Sequence, residues 1–138
     1  MKTISASADV MKLYVDNKCP VRNIQRQFNA YYPFLKLEFF TTQLTDKNFF
    51  KATPLACEVV KDLFSKNLKG TINVTKARTV AEVENDFKNE FGLVAQIFRL
   101  SGNVWIETTL TDDWTLEKQN KEGEQISCHF TTKLSKGL

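Results

Sequence analysis

Histidine, cysteine, proline and glycine are all scarce in this chain, at one, three, three and five residues among 138. A single histidine, His129, leaves no imidazole pair to hold zinc, and no close pair of cysteines makes up the difference. His129 also fails as the base of a nucleophile. Its neighbour Cys128 falls in the alternating run Ile126, Cys128, Phe130, which reads as a closing strand, and adjacent strand residues face opposite ways. The cysteines, Cys19, Cys57 and Cys128, are odd in number and far apart. That excludes a disulfide framework, implies a reducing compartment, and makes each thiol a small buried apolar side chain. The few glycines form neither Gly-x-Gly-x-x-Gly nor Gly-x-x-x-x-Gly-Lys, so loops that cradle phosphates are absent. No apolar run approaches the roughly 20 residues of a membrane helix, and Met1 to Leu13 has no continuous apolar segment. These absences describe a cytoplasmic protein with no cofactor, no metal, no membrane span and no catalytic constellation.

Phenylalanine is abundant. Eleven rings within an apolar fraction of 42% suit a core filled by large side chains. A chain of this length reads as one domain that hides roughly two-thirds of its unfolded surface. Its clearest stretch is Thr79 to Phe98. Val80, Val83, Phe87 and Phe91 stand 3, 4 and 4 apart, the spacing of one helix face. Thr79 and Glu82 match a capping box, and Gly92 stands where a left-handed cap ends a helix. Leu93, Ala95 and Ile97 then alternate as a strand. The same unit occurs 59 residues earlier, with Val21, Ile24, Phe28 and Tyr32 as its helix face and Leu35, Leu37 and Phe39 as its strand. Two strand–helix–strand halves follow, about 10–69 and 70–132.

The remaining elements are read locally. Lys2 to Val15 alternates as a strand with a break near Val10. Pro20 opens the first helix and Pro33 stops it. Asn48 to Ala52 reads as a short strand, and Thr53-Pro54 as the start of a helix running to about Asn67 and ended by Gly70. Thr71 to Thr75 and Val104 to Thr109 are strands. Asp112 or Asp113 caps a short helix over Trp114 to Lys118, Gln119 to Gly123 is polar loop, and Lys133 to Leu138 frays. The fold expected is α+β: a two-layer sandwich whose mixed, mostly antiparallel sheet of five to seven strands carries three main helices on one face. A ferredoxin-like arrangement is the first expectation and β-grasp the second.

The run from Val80 through Phe91-Gly92-Leu93 to Ile97-Phe98, then Ser101-Gly102-Asn103, Asp112-Asp113 and Thr115-Leu116, resembles a segment in an uncharacterised group of bacterial proteins. The order of elements from Thr71 to Phe130 is similar to a β-grasp layout. Neither resemblance brings an activity with it.

Function therefore rests on surface chemistry. Net charge is +3, with a balance of +5 over residues 1–69 and −2 over residues 70–138. Arg22 and Arg26 stand four apart on one helix face, a spacing able to hold a phosphate or carboxylate. Trp105 and Trp114 are surplus aromatics of the kind enriched at protein interfaces. Arg22, Arg26, Trp105 and Trp114 are the candidate binding residues. The first reading is a non-catalytic module that docks a protein partner or a second copy of itself. The alternative is an anionic ligand or single-stranded nucleic acid bound through the basic first half, and the acidic second half counts against nucleic acid.

Overall fold

The computed structural model describes residues 10–16, 21–44, 50–55 and 69–137. Buried Leu13 and Val15 alternate with exposed Lys12 and Tyr14, and that period of two makes strand β1 (Lys12–Asp16). Helix α1 (Val21–Tyr31) buries Val21, Ile24 and Phe28, and Pro33 stands just beyond its end. Strand β2 (Leu35–Leu44) turns Leu35, Leu37 and Phe39 inward. Strands β3 (Phe50–Leu55) and β4 (Lys69–Asn73) follow.

Helix α2 (Val80–Phe91) starts at a capping box. The Thr79 amide donates to the Glu82 carboxylate at 2.8 Å, and the Glu82 amide to the Thr79 hydroxyl at 3.1 Å. The helix ends at Gly92, whose φ of 66° is left-handed and suits glycine. Strand β5 (Val94–Ser101) turns tightly into β6 (Val104–Glu107), and one 3-10 turn (Thr109–Thr111) leads to helix α3 (Leu116–Gly137).

The architecture is a two-layer α+β sandwich. The strands divide between two antiparallel sheets: β1 beside β4, and β3-β2-β5-β6. A single sheet of five to seven strands was expected. Here the strands flanking each helix, β1 and β2 or β4 and β5, lie in different sheets, whereas a ferredoxin-like arrangement would keep them in one. The buried faces of α1 and α2 meet the inner face of β2 and β5, with the Phe87 ring edge-on to Phe39 at 5.1 Å.

Register relates the halves. Leu13 pairs with Ile72, 59 positions later, and Glu38 pairs with Gln96, 58 positions later. These are the offsets at which the apolar pattern recurs. Exchanging the halves leaves both strand orders unchanged.

Several local expectations are overturned. Thr53 and Pro54 lie in strand β3, opposite Thr41 and Phe40, and start no helix there. Among the described residues β3 ends its sheet, and an edge strand tolerates a residue with no N–H to give. Gly70 belongs to β4, opposite Val15, and ends no helix; a Cβ there would stand 3.0 Å from the Phe91 ring. The helix body expected over 56–67, the strand expected before Val10, and Cys19 and Cys57 lie outside the described residues. Asp112 and Asp113 cap no helix of their own. The Thr115 hydroxyl caps α3 by accepting from the Lys118 amide at 3.1 Å, and the Asp112 carbonyl instead accepts from the Ala81 amide at 2.8 Å.

The closing strand, the polar loop and the frayed tail are all parts of α3, and Cys128 on it is exposed, not buried. Over residues 116–129 the buried positions of α3 are Leu116, Gln119, Gly123 and Ser127. They keep the helical spacing of 3, 4 and 4, but only the first is a large apolar residue, so hydrophobic periodicity is silent there.

Gly123 is one point at which α3 touches the sheet. A Cβ added there would meet the Phe34 Cβ at 3.0 Å, the Arg99 Cγ at 3.1 Å and the Leu100 carbonyl at 3.2 Å. Alanine favours a helix over glycine by about 1 kcal/mol, yet Gly123→Ala should destabilise the chain by about 1–3 kcal/mol, since the backbone contact cannot rotate away. Urea unfolding measures it; an unchanged or raised midpoint would show that α3 does not press on β5 at this point.

Candidate functional site

Strand β2 is longer than the partner on its outer side. β3 covers Phe39 to Leu44, while among the described residues Leu35 to Glu38 have β5 on one side only. Their outward carbonyls still need donors. Helix α1 supplies them from side chains. Asn29 Nδ2 donates to the Leu35 carbonyl at 2.9 Å, and Gln25 Nε2 donates to the Leu37 carbonyl at 2.9 Å and to the Glu38 carboxylate at 3.2 Å. These amides draw one side of α1 along the open strand edge and leave a groove of about 620 Å³ above it. Arg22, Gln25, Arg26, Asn29 and Ala30 form one wall, and Lys36, Leu37, Glu38 and Trp105 the other. That volume lies within the roughly 300–1,000 Å³ of ligand sites.

Three of the wall residues are cationic. Arg22 and Arg26 are exposed and one helical turn apart, about 6 Å along the axis. Lys36 lies across from them, its ammonium 5.2 Å from the centre of the Trp105 ring and 5.5 Å from that of Phe98. The one acid, Glu38, is engaged by Lys36 at 3.3 Å and by Gln25. The groove thus carries an excess of two positive charges, and its guanidiniums have no described hydrogen-bonded partner within it.

Of the four candidate binding residues, Arg22, Arg26 and Trp105 meet in this groove. Trp114 does not. It lies between the Arg99 guanidinium, 5.5 Å from its ring centre, and the Lys118 ammonium, at 4.2 Å. Arg99 in turn donates to the Gln119 side-chain carbonyl at 2.7 Å, and buried Gln119 donates to the Thr111 carbonyl at 2.8 Å. Trp114 therefore belongs to a clamp that ties the start of α3 to the sheet.

A second groove, of about 320 Å³, lies between α2 and the open edge of β5. Its walls are Ala81, Glu84, Asn85, Lys88, Val94, Ala95 and Asp112. The offsets of 59 and 58 carry Arg22 onto Ala81, Gln25 onto Glu84, Arg26 onto Asn85, Asn29 onto Lys88, Lys36 onto Val94 and Leu37 onto Ala95. Six of these seven wall residues thus stand at positions equivalent to walls of the first groove. Glu84 repeats the task of Gln25 with the opposite polarity: its carboxylate accepts from the Ile97 amide of β5 at 2.9 Å. Sequence reasoning found Arg22 and Arg26 and missed Gln25, Asn29 and Glu84 as partners of strand edges. The 59-residue repeat, applied to polar as well as apolar positions, would have paired Gln25 with Glu84.

Among the described residues no group of three His, Cys, Asp or Glu stands close enough to hold a metal ion, and no helix is long and apolar enough to cross a membrane. No protein-family model, curated protein or solved structure matches the chain.

Burial pushes the Glu84 carboxyl up to about 7; the Ile97 N–H opposes this, and Asp112 and Glu107 add like charge. In the unfolded chain the group titrates near about 4.3. Between those values the native state holds a proton that the unfolded state has lost, so stability falls as pH rises through the window. Glu84→Gln should remove that fall. The variant should match the parent near about pH 4 and exceed it near about pH 8; the full shift corresponds to about 3.7 kcal/mol, which solvent screening of this half-buried group reduces to on the order of 2 kcal/mol. Unfolding free energies at the two pH values decide it; a difference that does not change with pH would place this carboxyl in water.

Proposed function

We propose that the chain is a non-catalytic binding module whose α1–β2 groove takes an anionic ligand. The observation that carries this reading is the comparison between the two grooves. Each combines one helix side with one open strand edge, and Gln25 and Glu84, at equivalent positions, each bond that edge. Only the first bears Arg22, Arg26 and Lys36, where the second has Ala81, Asn85 and Val94. A helix side and a strand edge of this kind hold together without those cations, so the packing does not account for them. Three cations lining one groove of ligand size are the means of holding phosphate or carboxylate oxygens.

The self-association reading leaned on Trp105 and Trp114 as anchors. Trp114 is engaged in the clamp at the start of α3, and Trp105 is a wall of the cationic groove. Neither offers the buried apolar centre that marks a protein interface, so the anion reading takes precedence.

The second groove also supplies the variant with which to test it. Arg22→Ala, Arg26→Asn and Lys36→Val, made together, give the first groove the equivalent residues of the second. Arg22 and Arg26 are exposed and Lys36 is half-buried outside the core, so the unfolding free energy in urea should stay within about 1 kcal/mol of the parent. In the parent, titration with pyrophosphate, oligoglutamate or oligothymidylate at low salt should move the amide resonances of Arg22, Arg26 and Lys36 and leave those of Ala81 and Asn85 in place. The triple variant should lose the response. Absence of any response in the parent, or its survival in the variant, would remove the assignment.

A further inference from the structure

We infer that the anion held in this groove is the backbone of a single-stranded nucleic acid, with its bases stacked on the neighbouring aromatic side chains; the inference rests on the anion reading above. The cations are strung out. Arg22 and Arg26 are separated by a helical turn, about 6 Å, and Lys36 stands on the opposite wall. One compact anion can be held by the arginine pair; a chain of regularly spaced charges can engage the pair and the lysine of the opposite wall together.

The second observation concerns rings. Phe98 lies directly opposite Lys36 in the register, and Trp105 pairs with Leu100, two residues along from Phe98. Phe98 and Trp105 therefore share the outer face of the sheet, away from the core, and both are half-buried. The Lys36 ammonium rests over both rings, at 5.5 and 5.2 Å. A cationic groove opening onto adjacent aromatic faces is the arrangement that binds single strands, since backbone phosphates and flat bases are satisfied together. An acidic peptide supplies the charge without the flat groups, and a duplex keeps its base faces inside. On binding, a base takes the ring face that Lys36 covers, and the flexible lysine stem carries its ammonium to a phosphate.

Of the carboxylates of the second half, half-buried Glu84 and its neighbour Asp112 line the other groove, against β5, and exposed Glu107 lies opposite Phe98 on β6, beside the rings and not among the groove walls; Glu38 is engaged by Lys36 and Gln25.

The full chain would be titrated with a twelve-residue oligothymidylate, followed by fluorescence anisotropy and by the two indole N–H resonances. The Trp105 resonance should move and the Trp114 resonance should not. Affinity should fall with log salt at a slope near about −2, from about −0.7 for each of three phosphates neutralised. Arg22→Ala with Arg26→Asn should bring that slope to about −0.7. Trp105→Ala should weaken binding roughly 5- to 150-fold, the range for losing one base stack, and Trp105→Phe should recover much of it. Urea midpoints of each variant exclude loss of fold.

If oligoglutamate of the same length binds as tightly and Trp105→Ala changes nothing, the nucleic-acid inference falls while the anion groove stands. Equal binding of a duplex of the same length overturns the stacking argument. If no polyanion binds, or if the arginine variants leave the slope unchanged, both readings fall together.

Discussion

The backbone groups along the uncovered halves of β2 and β5 constrain this structure most. Each strand is flanked on its outer side over only part of its length, β2 by β3 and β5 by β6. A strand edge left open beneath a helix carries N–H and C=O groups that cost free energy unless paired. Gln25 and Asn29 complete the edge of β2. Glu84 completes β5 by taking the Ile97 N–H, while the Thr108 amide and hydroxyl donate to the Ile97 carbonyl. Side chains thus stand in for missing strand, and this draws each helix against an edge as well as onto the sheet. A helix seated in this way leaves a furrow along its outer side, so both grooves follow from hydrogen-bond satisfaction before any ligand enters the argument.

That origin separates what the fold requires from what it permits. Gln25 is required, or a residue of like reach, because the Leu37 carbonyl would otherwise be orphaned. Arg22 and Arg26 are permitted: they border the furrow, and their guanidiniums satisfy nothing in the strand. Glu84 combines both conditions. Its carboxylate serves the Ile97 amide, yet burial and the nearby Asp112 and Glu107 favour the protonated form. A neutral amide, as at Gln25, does the corresponding work without a charge to desolvate. One scaffold therefore tolerates opposite electrostatics in its two furrows, provided each keeps one side chain able to reach the strand.

How much of this was legible depended on whether the signal was apolar. The faces Val80-Val83-Phe87-Phe91 and Val21-Ile24-Phe28 were plain from spacing, as were the capping box at Thr79 and the left-handed Gly92, because burial of large side chains and local capping chemistry leave marks within a single window. The nature of α3 was hidden, since Gln119, Gly123 and Ser127 are buried by close approach and hydrogen bonding, and the alternating Ile126 and Cys128 imitate a strand. Thr53-Pro54 misled for a related reason. A residue that caps a helix in one setting sits at ease in an edge strand in another, and only the pairing partner distinguishes the two. Of the groove, the arginine pair was visible as an i, i+4 spacing, whereas Trp105, 79 positions beyond Arg26, was joined to it only by the register of β2, β5 and β6. Trp114 showed the limit of composition: an aromatic surplus counts rings but not their neighbours, and its neighbours are Arg99 and Lys118.

The division of charge along the chain also takes on meaning once folded. The two furrows lie on opposite edges of the β2–β5 pair and toward opposite ends of it, because the uncovered stretch of β2, Leu35 to Glu38, runs beside Gln96 to Arg99, while that of β5 begins at Val94 opposite Phe40. Exposed charges interact weakly beyond a Debye length, about 8 Å at physiological ionic strength. A ligand entering one furrow therefore meets the sign of that furrow more than the net charge of the whole molecule. The near balance of +3 describes solubility. Recognition, on the proposed reading, is decided by Arg22, Arg26 and Lys36 within one furrow, whose walls include no carboxylate of the second half.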